Sequence, residues 1–312
     1  MDHLVEMHYQ ILKRLNVSDL IRCKSVCKSW LSIIYDPQFI KSHLTQSYLN
    51  DRDNDGLGDR RLAISLFPGY LKANPFEIGF NESRILGSCD GLVCVLAYCN
   101  KLRVLNPSTR EVKRVANPII CIGDGAMYWG VGYDPYTDDY KIIQGFKSGE
   151  NYYWREVNYT FISSNGVLYN GLLHWVGYNS TEKFVTLSFN LSEEKFVEVP
   201  QPNDEEYQFR VGQHESMRLR NMEECLCVFR QELVPREIWV MKDYNNRCWE
   251  IFLEYEREKK SDDVHCVKLL TNYVSSRWSL CHDMLWCDNR KLLGTPTFVE
   301  SLVSPHLLVI LA

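Results

Sequence analysis

Leu102-Arg-Val-Leu-Asn-Pro-Ser-Thr-Arg-Glu-Val-Lys-Arg-Val115 carries the pattern from which the rest of the chain is read. Apolar and polar residues alternate on both sides of a polar Asn-Pro-Ser-Thr centre, which predicts two strands joined by a turn. The same layout returns in Thr186-Leu-Ser-Phe-Asn-Leu-Ser-Glu-Glu-Lys-Phe-Val-Glu-Val199 and in Ile238-Trp-Val-Met-Lys-Asp-Tyr-Asn-Asn-Arg-Cys-Trp-Glu-Ile-Phe252. Three copies of one unit predict a repetitive β architecture.

Hairpin signals lie between the copies. Asp90-Gly91 falls inside Ile85 to Leu96, and Asn170-Gly171 inside Val167 to Val176; both dipeptides accept the positive φ angles of a type I′ turn. Gly91 and Gly171 are 80 residues apart, which fits two four-stranded propeller blades of about 40 to 50 residues each. The unit between them would hold Val131 to Ile143, with a turn at Asp134-Pro135. Residues 63 to 312 number 250, room for about five or six such blades. The run Leu307 to Leu311 is a candidate strand for closing the ring, and a stacked or sandwiched β arrangement is the alternative.

Composition agrees with a mostly β body. Apolar residues make up 45% of the 312, charged residues 24% and aromatic ones 12%, with 18 Tyr and 8 Trp; the first two values are ordinary for globular proteins and the third favours strands. A net charge of −5 argues against a general phosphate-binding face, so no nucleic-acid partner is expected. The longest apolar run, Leu307 to Ala312, is far short of the roughly 20 residues of a bilayer-spanning helix. No membrane association is expected, and the polar, acidic opening predicts a protein of the cytoplasm or nucleus.

Residues 1 to 44 read differently. Met7, Ile11, Leu12 and Leu15 recur at helical spacing, and Ser18-Asp19 reads as the cap and acidic first turn of a segment carrying Leu20, Ile21, Cys23, Val26, Cys27 and Trp30. Asp36-Pro37 then reads as a cap followed by Pro at the first helical position. This head of three or four short helices carries +2, leaving −7 for the remainder. So small a unit buries little apolar area alone, so a partner surface is expected. Residues 45 to 62 read as a flexible charged linker. Within it Asp51, Asp53, Asp55, Gly56 and Asp59 match the opening of a calcium loop, but Leu62 stands where a bidentate Glu is needed; a solvated loop is the simpler reading.

The twelve cysteines include no C-x2-C pair, so neither a zinc site nor any other metal or cofactor is expected, and a reducing compartment disfavours disulfides. Five N-x-S/T sequons begin at Asn16, Asn81, Asn158, Asn179 and Asn190 and are read as chance occurrences. No G-x-S-x-G, P-loop or H-E-x-x-H pattern is present, so no enzyme activity is expected. His174, beside Trp175 in a hairpin strand, is expected to be a half-buried pleat residue.

The head resembles an F-box, especially the plant form, in Ile11-Leu-Lys-Arg-Leu-Asn-Val-Ser-Asp-Leu-Ile-Arg-Cys-Lys-Ser-Val-Cys-Lys-Ser-Trp30 and Asp36-Pro-Gln-Phe-Ile-Lys-Ser-His-Leu44. The body resembles the kelch-like F-box-associated interaction domain of plant F-box proteins. The carrying stretches are Ser88-Cys-Asp-Gly-Leu-Val-Cys94, Asn106-Pro-Ser-Thr-Arg110, Gly132-Tyr-Asp-Pro135 with Asp138-Asp-Tyr-Lys141, Asn170-Gly-Leu-Leu-His-Trp175, Ser188-Phe-Asn-Leu191 with Glu193-Glu-Lys-Phe196, Ile238-Trp-Val-Met241 and Glu300-Ser-Leu-Val303. The resemblance implies a multidomain α plus all-β protein: an F-box over residues 1–44, a linker over 45–62 and a β-propeller-like domain over 63–312. It further implies a non-catalytic substrate receptor of an SCF-type ubiquitin ligase. The head would dock on a Skp-type adaptor, and through it on cullin and RING subunits, while the body holds a target protein whose identity the sequence does not give. The positions matching the adaptor-binding pattern are Leu12, Leu15, Leu20, Ile21, Val26 and Trp30; each either contacts the adaptor or packs the helices together.

Two departures stand out. The family usually opens with Leu-Pro, and His3-Leu4 occupies those positions here, which opens the alternative of a degenerate F-box protein that binds targets outside a ligase. Residues 144–165 and 278–297 are short by comparison with the family. Loops at 121–129, 147–154, 201–220 and 256–264 are candidates for recognition, since loops on a rigid scaffold carry binding.

Overall fold

A computed structural model of the chain describes residues 3–53, 60–62, 84–97, 101–115, 127–148, 151–153, 159–161, 165–202, 217–222, 225–230, 237–244, 246, 248–254 and 297–311. The chain divides into two compact units, Met1–Asn117 with Thr295–Leu307, and Pro118–Gly294 with Leu308–Ala312.

Four helices open the first unit: α1 (His3–Leu12), α2 (Val17–Cys23), α3 (Lys28–Tyr35) and α4 (Pro37–Asp53). Asn16 rather than Ser18 caps α2. Its side-chain oxygen accepts the Asp19 N–H at 2.8 Å, which satisfies one of the amides that a helix start leaves without a partner. Cys27 caps α3, its sulfur accepting the Trp30 N–H at 3.4 Å. Asp36 takes the role that the Asp-Pro pair predicts, accepting from the Gln38 and Phe39 amides at 2.7 and 3.2 Å, with Pro37 at the first helical position.

α4 does not stop at residue 44. His43, Leu44 and Ser47 are buried, and the His43 ring donates from Nε2 to the Leu15 carbonyl at 2.8 Å, so the helix continues along the face that it covers. Much of the segment expected to be a flexible linker is therefore helical, and Arg60–Leu62 form a strand, β1. Asp51 and Asp53, the first oxygen positions of the calcium-loop reading, belong to α4; residues 54–59 lie outside the described residues.

The helices enclose Leu12, Val17, Leu20, Ile33, Ile34 and Phe39, and Leu302 joins the same cluster. The inward face of α1 is Val5, Tyr9 and Leu12, with the Tyr9 ring edge-on to Phe39 at 5.1 Å. Met7 and Ile11, expected on the buried face, are each 45% exposed. Both stripes have helical spacing; the one carrying the aromatic ring is the one buried.

The first unit continues with β2 (Arg84–Cys89), β3 (Leu92–Ala97), β4 (Lys101–Asn106) and β5 (Glu111–Arg114), an antiparallel meander. Asp90 and Gly91 have φ of 51° and 84°, as the predicted hairpin requires.

In the second unit the strands are β6 (Met127–Asp134), β7 (Asp139–Ser148), β8 (Asn151–Tyr153), β9 (Tyr159–Phe161), β10 (Val167–Tyr169), β11 (Leu172–Asn179), β12 (Phe184–Asn190), β13 (Lys195–Val199), β14 (Met217–Met222), β15 (Cys225–Arg230), β16 (Glu237–Asp243) and β17 (Cys248–Glu254). Strands β10 to β13 and β14 to β17 form two further meanders, β9 adding to β11. β18 (Thr297–Val299) pairs with β1 in the first unit. β19 (Leu308–Leu311) lies parallel to β7 in the sheet of β6, β7 and β8. The late apolar run is thus a strand, and it extends a sheet from the middle of the chain. Within the second unit Ile143 packs with Leu173, Trp175, Phe189 and Leu191, while Val176, Phe184 and Val199 pack with Leu219, Val228 and Trp239. Consecutive sheets therefore meet face to face. Among the described residues four sheets have four or five strands, and no closed ring is seen.

One turn recurs. Asn106, Asp134 and Asn190 each end a strand, and each side chain accepts from the backbone N–H two residues on, at 2.8, 3.0 and 2.9 Å. Four residues after each, Arg110, Asp138 and Glu194 turn the chain back with φ of 61°, 57° and 53°. The short Asx side chain stands in for a backbone acceptor and fixes where each strand stops.

Candidate functional site

The six expected adaptor positions separate by burial. Leu12 and Leu20 have no exposed surface and lie in the apolar cluster of the helices. Leu15, Ile21 and Trp30 are half-buried against the same cluster, the Trp30 ring meeting His8 of α1 edge-on at 5.9 Å. Val26 is 61% exposed, between α2 and α3. Exposed apolar residues that sequence reasoning missed or placed inside are Leu4, Met7 and Ile11, one stripe of α1 at i, i+3 and i+7, together with Leu31 and Tyr35 on α3. The Lys24 ammonium sits 4.3 Å above the centre of the Tyr35 ring. The only sequence signal for the α1 stripe is its apolar spacing, and the inward stripe shows the same spacing. Exposed apolar side chains on so small a head are candidates for a contact surface.

The departure at His3-Leu4 is visible too. α1 begins at His3, and Leu4 is 54% exposed on its first turn.

The motif residues of the body serve a different purpose. Asp134 has no exposed surface and pairs with the ammonium of Lys141 at 2.6 Å; it also accepts from the Ser192 and Thr137 hydroxyls and the Tyr136 amide. Burial alone would push its carboxyl pKa up, but Lys141 and these donors outweigh it and hold the pKa well below the usual carboxylate range. Lys141 donates as well to the Leu191 carbonyl at 3.0 Å, so the Gly-Tyr-Asp-Pro turn is locked to the turn after β12. Gly132 and Gly130 permit that approach: a Cβ would meet Leu191 at 2.6 Å or Leu173 and Trp175 at 2.7 to 2.8 Å. These residues are structural junctions, with their charges satisfied by one another.

His174 is fully buried rather than half-buried. It faces the Val167 carbonyl from Nδ1 at 3.3 Å and the Tyr244 hydroxyl from Nε2 at 2.8 Å, an arrangement that suits a neutral ring donating at Nδ1 and accepting at Nε2. Burial lowers its pKa to about 4. Of the candidate recognition loops, Met127–Trp129 belong to β6, Asn151–Tyr153 to β8 and Met217–Arg220 to β14, so these parts are strand; residues 256–264 lie outside the described residues.

Two family patterns match the chain in these places. Residues 5–46 match the F-box-like family and residues 71–291 the F-box associated beta propeller domain. The chain belongs to the family of proteins built on the F-box associated beta propeller domain, and it is a plant F-box protein. An F-box/kelch-repeat protein of Arabidopsis thaliana, At3g23880, is 27% identical over 64% of this chain and 65% of its own length. The F-box protein CPR1 of Arabidopsis thaliana is 26% identical over 76% of this chain and 68% of its own length. The chain spans about 60% of the length of several curated relatives it matches.

Proposed function

We propose that the chain is the substrate-recognition subunit of an SCF-type ubiquitin ligase, working in the cytoplasm or nucleus. The helical head docks on a Skp-type adaptor linked to cullin and RING subunits, and the β body, which we take to be propeller-like, holds the protein to be ubiquitylated. The domain limits are those of the sequence reading, with α4 carrying the head on to Asp53. The receptor forms no bond itself. It works by proximity, because holding a target beside the charged conjugating enzyme turns an encounter into an effectively intramolecular transfer.

The observation that carries this reading is the exposed apolar surface of the head, Leu4, Met7 and Ile11 on α1 with Val26 between α2 and α3. Within the expected set, Val26 and the exposed parts of Leu15, Ile21 and Trp30 touch the adaptor, while Leu12 and Leu20 act by holding the helices. A paired substitution separates the two roles. Ile11→Asp with Val26→Asp should weaken adaptor binding by at least about tenfold while leaving the melting temperature within about 2 °C, since both sites are exposed. Leu20→Ala should cost about 3 kcal/mol of stability, as for a buried Leu in a tight core. Full affinity in the exposed double variant would remove this surface from the interface. If the folded wild-type chain binds no adaptor at all, the His3-Leu4 departure is decisive and the ligase-independent binder is the better reading.

A further inference from the structure

Leu302 is 6% exposed and belongs to the apolar cluster of the helical head, beside Leu12, Leu20 and Phe39. Its chain neighbours are fastened to the sheet of β2 to β5. Ser301 Oγ donates to the Asp90 carbonyl at 2.6 Å, and Asn106 Nδ2 donates to the carbonyls of Ser301 at 2.9 Å and Val303 at 2.8 Å. Gly91 leaves the space for this: a Cβ there would lie 2.1 Å from Ser301 Oγ and 2.7 Å from the Val299 carbonyl. Two outer contacts hold the same arrangement, Tyr48 of α4 donating to the Asp90 carboxylate at 2.8 Å and Lys113 Nζ donating to the His306 carbonyl at 3.2 Å. One short segment thus places its apolar side chain in the head and its polar atoms on the first sheet.

We propose that Ser301–Val303 is a clasp that completes the core of the helical head, so that the head's competence to dock depends on a segment encoded after β1 to β18. A helical unit of this size has little core to spare, and Leu302 supplies one of its buried members. Synthesis delivers the head first and Leu302 only after β1 to β18, so a chain interrupted earlier in the body carries a loosened head and is a poor adaptor ligand. A receptor is then presented to its adaptor only when all of its target-holding part but β19 has been built. The clasp rests on contacts within the chain; only its consequence for docking rests on the adaptor reading.

Amide hydrogen exchange on the full chain tests this, comparing wild type with Leu302→Ala and Leu302→Met, and with Leu302→Val should the Ala variant not fold. The expected result is exchange at least about tenfold faster in α1 to α4 of the Ala variant, unchanged exchange in β10 to β13, and recovery in the Met variant. Adaptor affinity should fall in the same order. Unchanged exchange in the helices, or loss of protection spread evenly over both units, overturns the clasp. A loosened head that binds the adaptor with full affinity overturns its role in docking. A wild-type chain that binds no adaptor counts against the adaptor reading alone, because the exchange readout does not use the adaptor.

Discussion

His174 shows how a single side chain ties neighbouring elements together and what that costs in acid. Buried and neutral, it bridges the Val167 carbonyl and the Tyr244 hydroxyl, and its pKa is lowered to about 4 by burial. Between pH 6.5 and 4 the unfolded chain takes up a proton that the folded chain refuses, so the contribution is complete above pH 6.5 and falls as the pH drops through that window. The loss is bounded at about 3 kcal/mol. Denaturant unfolding at pH 7.5, 5.5 and 4.5 should show this slope in the wild type and a shallower one in His174→Gln; equal slopes would contradict the assignment. Asp134 acts in the same direction but in a lower window, since its depressed pKa adds stability that is present above the usual carboxylate range and lost as the pH falls below it. The sequence marked both residues through their motifs but not what they touch. His174 looked like a pleat residue because alternation gives the face of a strand, whereas its burial depends on Tyr244 arriving 70 positions later. Three of the five sequons have a structural meaning instead: Asn16, Asn179 and Asn190 each accept a nearby backbone N–H, the work for which a short amide beside small polar residues is suited.

The helices and turns were legible where the signal is local. The Asp90-Gly91 and Asn170-Gly171 hairpins have the left-handed angles that those dipeptides favour, and the Asp36-Pro37 start is capped as the pair predicts. The start of α2 was misplaced by two residues, because Asn16 and Ser18 are both acceptable caps and only the backbone angles choose between them. Asn16→Ala should therefore cost about 1 kcal/mol in thermal or denaturant unfolding and Ser18→Ala less than about 0.5; the reverse order would return the cap to Ser18. The faces of α1 illustrate a different limit. Stripes at 5, 9, 12 and at 4, 7, 11 are both apolar, so periodicity alone leaves open which is inward, and the choice depends on Phe39 meeting Tyr9. Helix α4 outran its expected end for the same reason, since the burial of His43 and Ser47 comes from packing rather than from residue type.

Across the chain as a whole, the repeat of strand, polar turn and strand revealed the β body, and the change of period revealed the head. Three sheets follow the order that the repeats implied, each built from consecutive strands. Long-range joins were hidden. Nothing in Glu300-Ser-Leu-Val303 indicates that Leu302 enters the head while Asn106 holds its flanking carbonyls, nor that Leu308–Leu311 lies beside β7. The candidate site divides in the same way: the resemblance located the head, while burial showed which of its apolar residues are exposed and which face each other. The most direct test of the account is titration of the full-length, demonstrably folded chain with a purified plant Skp-type adaptor. Saturable one-to-one binding is the predicted result; a folded chain that shows no binding would contradict the receptor assignment.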